Sequence, residues 1–305
     1  MANPVRHFDR YREIVPDFEA FSEALGKDAP DHARVNTDRA TVESVLEILE
    51  RLGAAPSPEP WFSSLLRIGA TPKIKLGATF MHALGHIYLQ SASSAVSALC
   101  LEVSPGDRVL DLCAAPGSKT TLLASLAGPT GAVVANEPSA PRLTSLVANI
   151  RRMGLANVAV TSYMGQNFPT RMGFDRVLVD APCSGEGTWR GPDARPRPMG
   201  DAQRENLARR QAAILDRAAS ALKPGGRLVY STCTYAPEEN EMVVAEAVLN
   251  HGLKLVPTSL PISARPGLKA WGGAEFPSGM DVAMRLYPHY FDSEGFFVAC
   301  MVKPG

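Results

Sequence analysis

The sequence predicts an α/β protein in which a parallel sheet, covered on both faces, occupies most of the chain and a smaller α+β appendage precedes it. Three observations carry this. From about Pro105 onward, short apolar runs alternate with amphipathic stretches of helical length. The runs are continuously apolar, as strands buried on both faces are. Before about Gln90 the texture is different, with helical patterning, short strand-like pieces and no regular alternation.

In the appendage, residues 1–95, Thr41–Leu52 places Val42, Val45, Leu46, Ile48, Leu49 and Leu52 near one helical face, with Gly53 as the stop. The Pro-rich piece Ala55–Trp61 reads as a loop. In the second unit, residues 96–305, Arg108–Leu112 is the first buried strand, followed by a loop of small residues and a helix from Lys119. Ala132–Asn136, Val158–Tyr163, Arg176–Val179, Arg227–Ser231 and Phe296–Val302 read as further strands. Ala140–Met153, Arg204–Leu222 and Pro237–Leu249 read as helices, and Lys223–Gly226 as a turn into the strand after it.

Composition narrows the function classes. The 305 residues carry no formal net charge, 45% are hydrophobic and 20% charged, which suits a globular protein and argues against a large basic footprint, though not against a local basic groove. The five cysteines, Cys100, Cys113, Cys183, Cys233 and Cys300, are odd in number and widely spaced, so neither a disulfide framework nor a CxxC knuckle is indicated. Free thiols suit a reducing compartment. The start, MANPVRHFDRYREI, lacks the apolar core of a signal peptide, and no run approaches the roughly 20 apolar residues of a membrane helix. The expectation is a cytoplasmic enzyme without a metal. His82 and His86 stand one helical turn apart, but without a HExxH pattern they read as a partly exposed helix.

In a parallel sheet, ligands sit beyond the carboxyl ends of the strands. The first strand ends in Asp111-Leu112-Cys113-Ala114-Ala115-Pro116-Gly117-Ser118-Lys119-Thr120. Small residues let a ligand approach the backbone, and the helix that follows offers free N–H groups. A P-loop needs glycines where Cys113 and Ser118 stand, so that reading fails. Of the dinucleotide GxGxxG pattern only Gly117 fits. The acidic residue expected about 20 positions on is present as Glu137, where a carboxylate suits two ribose hydroxyls. These residues read as a nucleoside site without a pyrophosphate cradle, against the plainer reading of a structural turn.

Two cysteines follow predicted strands directly, in Asp180-Ala181-Pro182-Cys183 and Ser231-Thr232-Cys233-Thr234. A lone cysteine usually behaves as a small core hydrophobe. That suits Cys100 and Cys300, which lie in apolar runs, better than Cys183 and Cys233, which stand among Ser, Thr, Glu and Gly. Cytosine C5 is a poor nucleophile. A thiolate adding to C6 gives C5 enamine character, so that it takes a methyl group from a sulfonium; loss of the C5 proton and expulsion of the thiolate complete the cycle. The chemistry needs a thiolate, a carboxyl for N3 or the exocyclic amine, and a base. Cys233, Asp180 and Cys183 are candidates, and local chemistry alone does not choose between the cysteines. Trp189 and Tyr235 flank them and either stack on an extruded base or pack in the core. Arg190, Arg195, Arg197, Arg204, Arg209 and Arg210 either meet an RNA backbone or, with Asp193, Asp201 and Glu205, form a solvated face.

CAAPGSKTT, VDAPCSGEGTWR and GGRLVYSTCTYAPEENE resemble the Sun-type (RsmB/RsmF-like) RNA 5-methylcytosine methyltransferases, and FDRYREIVPDF, ARVNT and YPHYFDSEGFFVA extend the likeness over nearly the whole chain. The resemblance implies a Rossmann-like S-adenosylmethionine-dependent methyltransferase unit with an N-terminal RNA-binding appendage, and an RNA substrate, with rRNA favoured over tRNA. It implies Cys233 as nucleophile and Cys183 as the thiol that aids product release. It also implies that Cys113 to Lys119, Glu137 and Asp180 line the cofactor site, supported by Arg142 and Asn149. Three departures stand out. Met164-Gly165-Gln166 replaces the family's Asp-Gly-Arg stretch, so Met164 stands where an aspartate meets adenine. Gln90-Ser91 replaces a Gln-Glu or Gln-Asp pair. The likeness also stops short of the further C-terminal RNA-binding region of RsmF-like members. The competing readings are a DNA-type enzyme with Cys183 as nucleophile and a non-catalytic RNA-binding or ribosome-assembly factor.

Overall fold

The computed structural model describes residues 4–69, 75–197 and 199–305; residues 1–3 of the stretch read for a signal peptide lie outside them. Its centre is one large sheet. Val158–Thr161, Ala132–Asn136, Arg108–Asp111, Phe174–Asp180 and Leu222–Thr232 follow one another across it, each parallel to its neighbour. Phe296–Val302 and Met284–Leu286 continue the sheet in antiparallel pairs.

The chain builds outward from Arg108–Asp111 in both directions, so the order reverses between that strand and Phe174–Asp180. This is the switch point at which a crevice opens beyond the carboxyl ends. The central strands are buried on both faces, as Val177, Leu178 and Val179 illustrate. Helices Asp201–Ala221 and Glu241–His251 cover one face through Ile214, Leu215 and Val243. Helices Ala92–Leu99 and Ser118–Ala127 cover the other through Val96, Leu122 and Leu123.

The appendage is more sheet than its patterning suggested. Ser57–Glu59, Phe62–Arg67, His32–Val35 and Ile87–Leu89 form an antiparallel sheet in that order. Ser57–Glu59 lies in the segment expected to be a loop; as an edge strand it accommodates Pro58, which has no N–H to donate. Helix Val42–Arg51 is capped by the Thr41 side chain, which accepts from the Ser44 amide. Its apolar stripe is narrower than expected: Val45 and Leu49 are buried, whereas Ile48 and Leu52 are exposed. The Lys223–Gly226 stretch is not a separate turn but an irregular start to its strand, with a register shift against Phe174–Arg176. His86 falls outside the short helix Phe80–Ala83 that holds His82, so the two do not share a helix face.

Candidate active site

Two loops leave neighbouring parallel strands at the crevice and are tied to each other. The Ala181 amide donates to the Ser231 carbonyl at 2.9 Å and the Gly187 amide to the Cys233 carbonyl at 2.8 Å. The Ser184 hydroxyl donates to Thr234 Oγ1 at 2.7 Å. The result brings Cys183 Sγ to 3.2 Å from Cys233 Sγ. Both thiols are partly accessible, whereas Cys100 and Cys300 are buried in the core. The hydrogen bond with Cys233, then burial, then the negative charge of Glu239 and Asp180 push the Cys183 thiol well above its ordinary range. Cys183 is therefore a protonated thiol at neutral pH.

Asp180 connects this pair to the small-residue loop. Its Oδ2 accepts from Lys119 Nζ and its Oδ1 from the Ser231 hydroxyl, both at 2.8 Å. Lys119 is 7% exposed and donates also to Ser94 Oγ at 2.8 Å, so two of its three N–H groups are engaged. The loop has its own supports. Thr120 donates to Asp111 Oδ2 at 2.7 Å, Arg142 Nη2 to the Ala115 carbonyl at 2.7 Å, and Asn149 Nδ2 to the Pro116 carbonyl at 2.9 Å. Gly117 has φ +107°, and a Cβ there would stand 3.1 Å from Leu146 Cδ1. Burial, then Asp111, Asp180 and Glu137, keep Cys113 protonated.

Glu137 is 1% exposed; it accepts from the Ser139 amide at 2.8 Å, and Arg142 Nη1 lies 3.2 Å from its other oxygen. Asn136, just before it, holds the next loop by donating to the Tyr163 carbonyl and accepting from the Tyr163 amide, both at 2.9 Å. Met164 follows, 45% exposed.

Two side chains take one of the alternatives the sequence left open, and two arginines depart from both of theirs. Tyr235 is 1% exposed and lies among Phe8, Tyr11, Phe21 and Tyr287, so it is a core residue and does not stack on a base. Trp189 packs on His7 and Phe8, with ring centroids 4.8 and 6.0 Å away. Arg190 and Arg204 are not part of a solvent-facing basic stretch. Arg190 pairs with Asp292 at 2.6 Å and donates to the Lys27 and Ser293 carbonyls. Arg204 pairs with Glu186 at 3.0 Å. Arg195, Arg197, Arg209 and Arg210 are exposed.

The residues that sequence reasoning missed lie beneath the reactive loops. Glu239 Oε2 accepts from the Ser184 amide and from Gln211 Nε2, both at 2.9 Å, while Gln211 Nε2 also reaches the Pro182 carbonyl. Cys183 thus stands between two backbone positions held from below. Asn240 does the same for the other loop, accepting from Thr232 at 2.5 Å and donating to the Thr234 carbonyl at 3.0 Å. Glu186, wholly buried, gathers Tyr11 at 2.5 Å, His7 at 3.2 Å and Thr234 at 3.1 Å besides Arg204. The available signal was the density of Glu and Asn flanking the two cysteine motifs.

A family model described as 16S rRNA methyltransferase RsmB/F matches residues 98–302. The chain is 38% identical over 309 residues to a ribosomal RNA small subunit methyltransferase F of Erwinia tasmaniensis, covering 98% of this chain and 63% of that protein. It is 35% identical over 288 residues to a mouse 28S rRNA (cytosine-C(5))-methyltransferase, covering 93% of this chain and 36% of that one. It thus spans less than two thirds of the length of either relative. The crystal structure of a methyltransferase homologue from Pyrococcus horikoshii superposes with a TM-score of 0.85 at 31% identity, covering 99% of each chain.

Proposed function

Since the chain belongs to the 16S rRNA methyltransferase RsmB/F family, we propose that it methylates C5 of a cytosine in RNA, with ribosomal RNA as substrate, through a covalent bond between Cys233 and the base. The observation that carries this reading is the pair of thiols 3.2 Å apart beside Asp180, whose carboxylate is also bound to the small-residue loop through Lys119.

The methyl donor is S-adenosylmethionine, which supplies an electrophilic methyl group on a sulfonium. The residues of the crevice suit it. Asp111 Oδ1 is buried without a partner among the described residues, the Ala114-Ala115-Pro116-Gly117 stretch carries no bulky side chain to keep a nucleoside from its backbone, and Glu137 offers a carboxylate to the ribose. Cys113, Ser118, Lys119, Arg142 and Met164 complete the lining, and Asp180, held by Lys119 on one oxygen and by Ser231 on the other, links the donor loop to the strand that leads to Cys233.

The chain's own groups then divide the work. Cys233 adds its sulfur to C6 and forms the C–S bond. Asp180, paired with Lys119, accepts a hydrogen bond from the exocyclic amine and so orients the base. After C5 is methylated its proton passes to a base, for which solvent water suffices, the C5–C6 double bond re-forms, the Cys233–C6 bond breaks, and the electron pair returns to sulfur. Cys183, 3.2 Å from Cys233, is placed to exchange a proton with the departing sulfur. The assignment of attack to Cys233 and release to Cys183 follows the family resemblance of the two motifs. We divide the chain near residue 95, assigning the first part to RNA binding and the remainder to catalysis in the cytoplasm. The match to relatives acting on 16S-type and 28S RNA supports rRNA over tRNA.

The test is tritium transfer from S-adenosylmethionine to RNA by wild type, Cys233→Ala and Cys183→Ala, with denaturing gels. Loss of transfer in Cys233→Ala and a retained RNA–protein adduct in Cys183→Ala are expected. Undiminished transfer by Cys233→Ala would refute the assignment of the nucleophile.

A further inference from the structure

Arg34 is a buried charge that the transfer chemistry does not use. It extends from the appendage strand His32–Val35 towards the catalytic unit and is 2% exposed. A buried guanidinium is ordinarily matched by a carboxylate; Arg34 takes part in no ion pair among the described residues. Burial lowers its pKa to about 10, and the charge of Arg152 adds to the effect.

Its partners are neutral, and most belong to the donor loop and the helix behind it. Nε donates to Gln90 Oε1 at 2.9 Å, and Nη2 donates to Thr121 Oγ1 at 2.7 Å and to the Ser118 carbonyl at 3.4 Å. The guanidinium carbon stands 5.6 Å from the centre of the Tyr88 ring, and that of Arg152 stands 5.3 Å from it. The Tyr88 hydroxyl donates to the Pro116 carbonyl at 3.5 Å. Two residues beyond Arg34, Asn36 Nδ2 donates to the Met153 carbonyl at 3.0 Å. One short segment of the appendage therefore grips the first turn of helix Ser118–Ala127 and the last turn of helix Ala140–Met153, the two helices beside the donor loop.

We propose that Arg34 and Tyr88 are positioning residues of the methyl-donor site, so that the appendage sets the shape of the loop that holds the donor as well as meeting RNA. This rests on reading Cys113–Lys119 as the donor loop. A loop of Ala, Pro and Gly has little side chain with which to hold itself. Its handles are the Pro116 carbonyl, held by Tyr88, and the Ser118 carbonyl and Thr121 hydroxyl, held by Arg34; releasing the last two would leave the buried guanidinium with Gln90 as its one remaining acceptor among the described residues.

Arg34→Met, Arg34→Lys and Tyr88→Phe in the full chain test this by two readouts. One is hydrogen exchange of the Gly117–Thr121 amides without donor, and the other is the dissociation constant for S-adenosylmethionine by calorimetry. Faster loop exchange is expected in Arg34→Met and Tyr88→Phe. Losing hydrogen bonds to a charged donor predicts donor binding weakened by about 10-fold or more in Arg34→Met. Arg34→Lys should recover part of it, with KM for donor rising and KM for RNA unchanged. If Arg34→Met does not fold, Thr121→Val and Tyr88→Phe carry the test, since both leave the guanidinium in place. Loop exchange and donor affinity within twofold of wild type in every folded variant would overturn the proposal. Failure of wild type to bind S-adenosylmethionine would instead overturn the donor-site reading, while exchange in the same loop would still report the grip.

Discussion

Cys183 Sγ and Cys233 Sγ stand 3.2 Å apart although 50 positions separate them in the chain. The distance follows from the sheet. Phe174–Asp180 and Leu222–Thr232 are parallel neighbours, with Asp180 opposite Ser231, so the loops leaving them start side by side. A disulfide needs its sulfurs at about 2.05 Å, roughly an ångström closer than these are. Hydrogen peroxide should oxidise one thiolate to a sulfenic acid, which the other thiol converts to a disulfide with loss of water. Activity is expected to fall under peroxide and to return with dithiothreitol, with two free thiols fewer in the inactive form. In Cys183→Ser, which has no second thiol to trap the sulfenic acid, excess peroxide should carry Cys233 on to the sulfinic acid, and that loss should not be reversed by dithiothreitol. An inactivated wild type that keeps all five thiols would contradict this.

Glu186 makes the second prediction. Burial alone would raise its pKa, but hydrogen bonds from His7 and Tyr11 and the charge of Arg204 hold it at about 2. The folded state therefore binds this proton less tightly than the unfolded chain, whose pKa is 4.5. The stabilisation is complete above about pH 4.5 and is lost as pH falls towards 2; it is on the order of 3 kcal/mol. Glu186→Gln should lower the urea midpoint at pH 7 and flatten its decline between pH 4.5 and 2. A variant with the wild-type acid profile would show that the carboxylate is not the group responsible.

Asp111 has the opposite sign. Burial raises its pKa from 3.8 to about 6, although Thr120 and Lys119 pull it down. The folded state holds this proton more tightly, so stability falls as pH rises from about 4 to about 6, by at most an amount on the order of 3 kcal/mol. Asp111→Asn should remove that slope. Melting temperatures at pH 4, 5, 6 and 7 measure it, and an unchanged slope in the variant would assign the effect elsewhere.

Much of this site was legible because its chemistry sits at strand ends. Asp111, Asp180 and Ser231 each close an apolar run, and in a parallel sheet those ends converge. Phe296–Val302 was readable over its full length for the same reason, being apolar at nearly every position. What was left open or missed depended on partners distant in sequence. For Tyr235 the sequence left base stacking and core packing open, and only the fold, which brings Phe8, Phe21 and Tyr287 around it, decides for the core. Arg204 read as part of a basic face because its partner Glu186 lies 18 residues away, across a loop. Ser57–Glu59 read as a loop because proline is rare in strands, a preference that relaxes at a sheet edge.

That aromatic core supports the last prediction. Gly295 lies where the loop after Asp292 passes the reactive loops: its amide donates to the Gly187 carbonyl at 2.9 Å. A Cβ on Gly295 would stand 2.0 Å from the Tyr235 hydroxyl oxygen, 2.2 Å from Cζ and 2.4 Å from Cε1. Tyr235 cannot retreat, since Phe8, Phe21 and Tyr287 surround it and it is 1% exposed. Gly295→Ala should therefore overpack the core at a cost of about 1–3 kcal/mol. The strain would reach the active site, because the Gly187 amide is bonded to the Cys233 carbonyl. Adding Tyr235→Phe should not rescue the variant, as two ring carbons remain in the way; adding Tyr235→Ala should relieve the clash while leaving a cavity. Urea unfolding of the three variants measures this, and a Gly295→Ala protein within about 0.5 kcal/mol of wild type, the range of an ordinary surface substitution, would show that the ring can move.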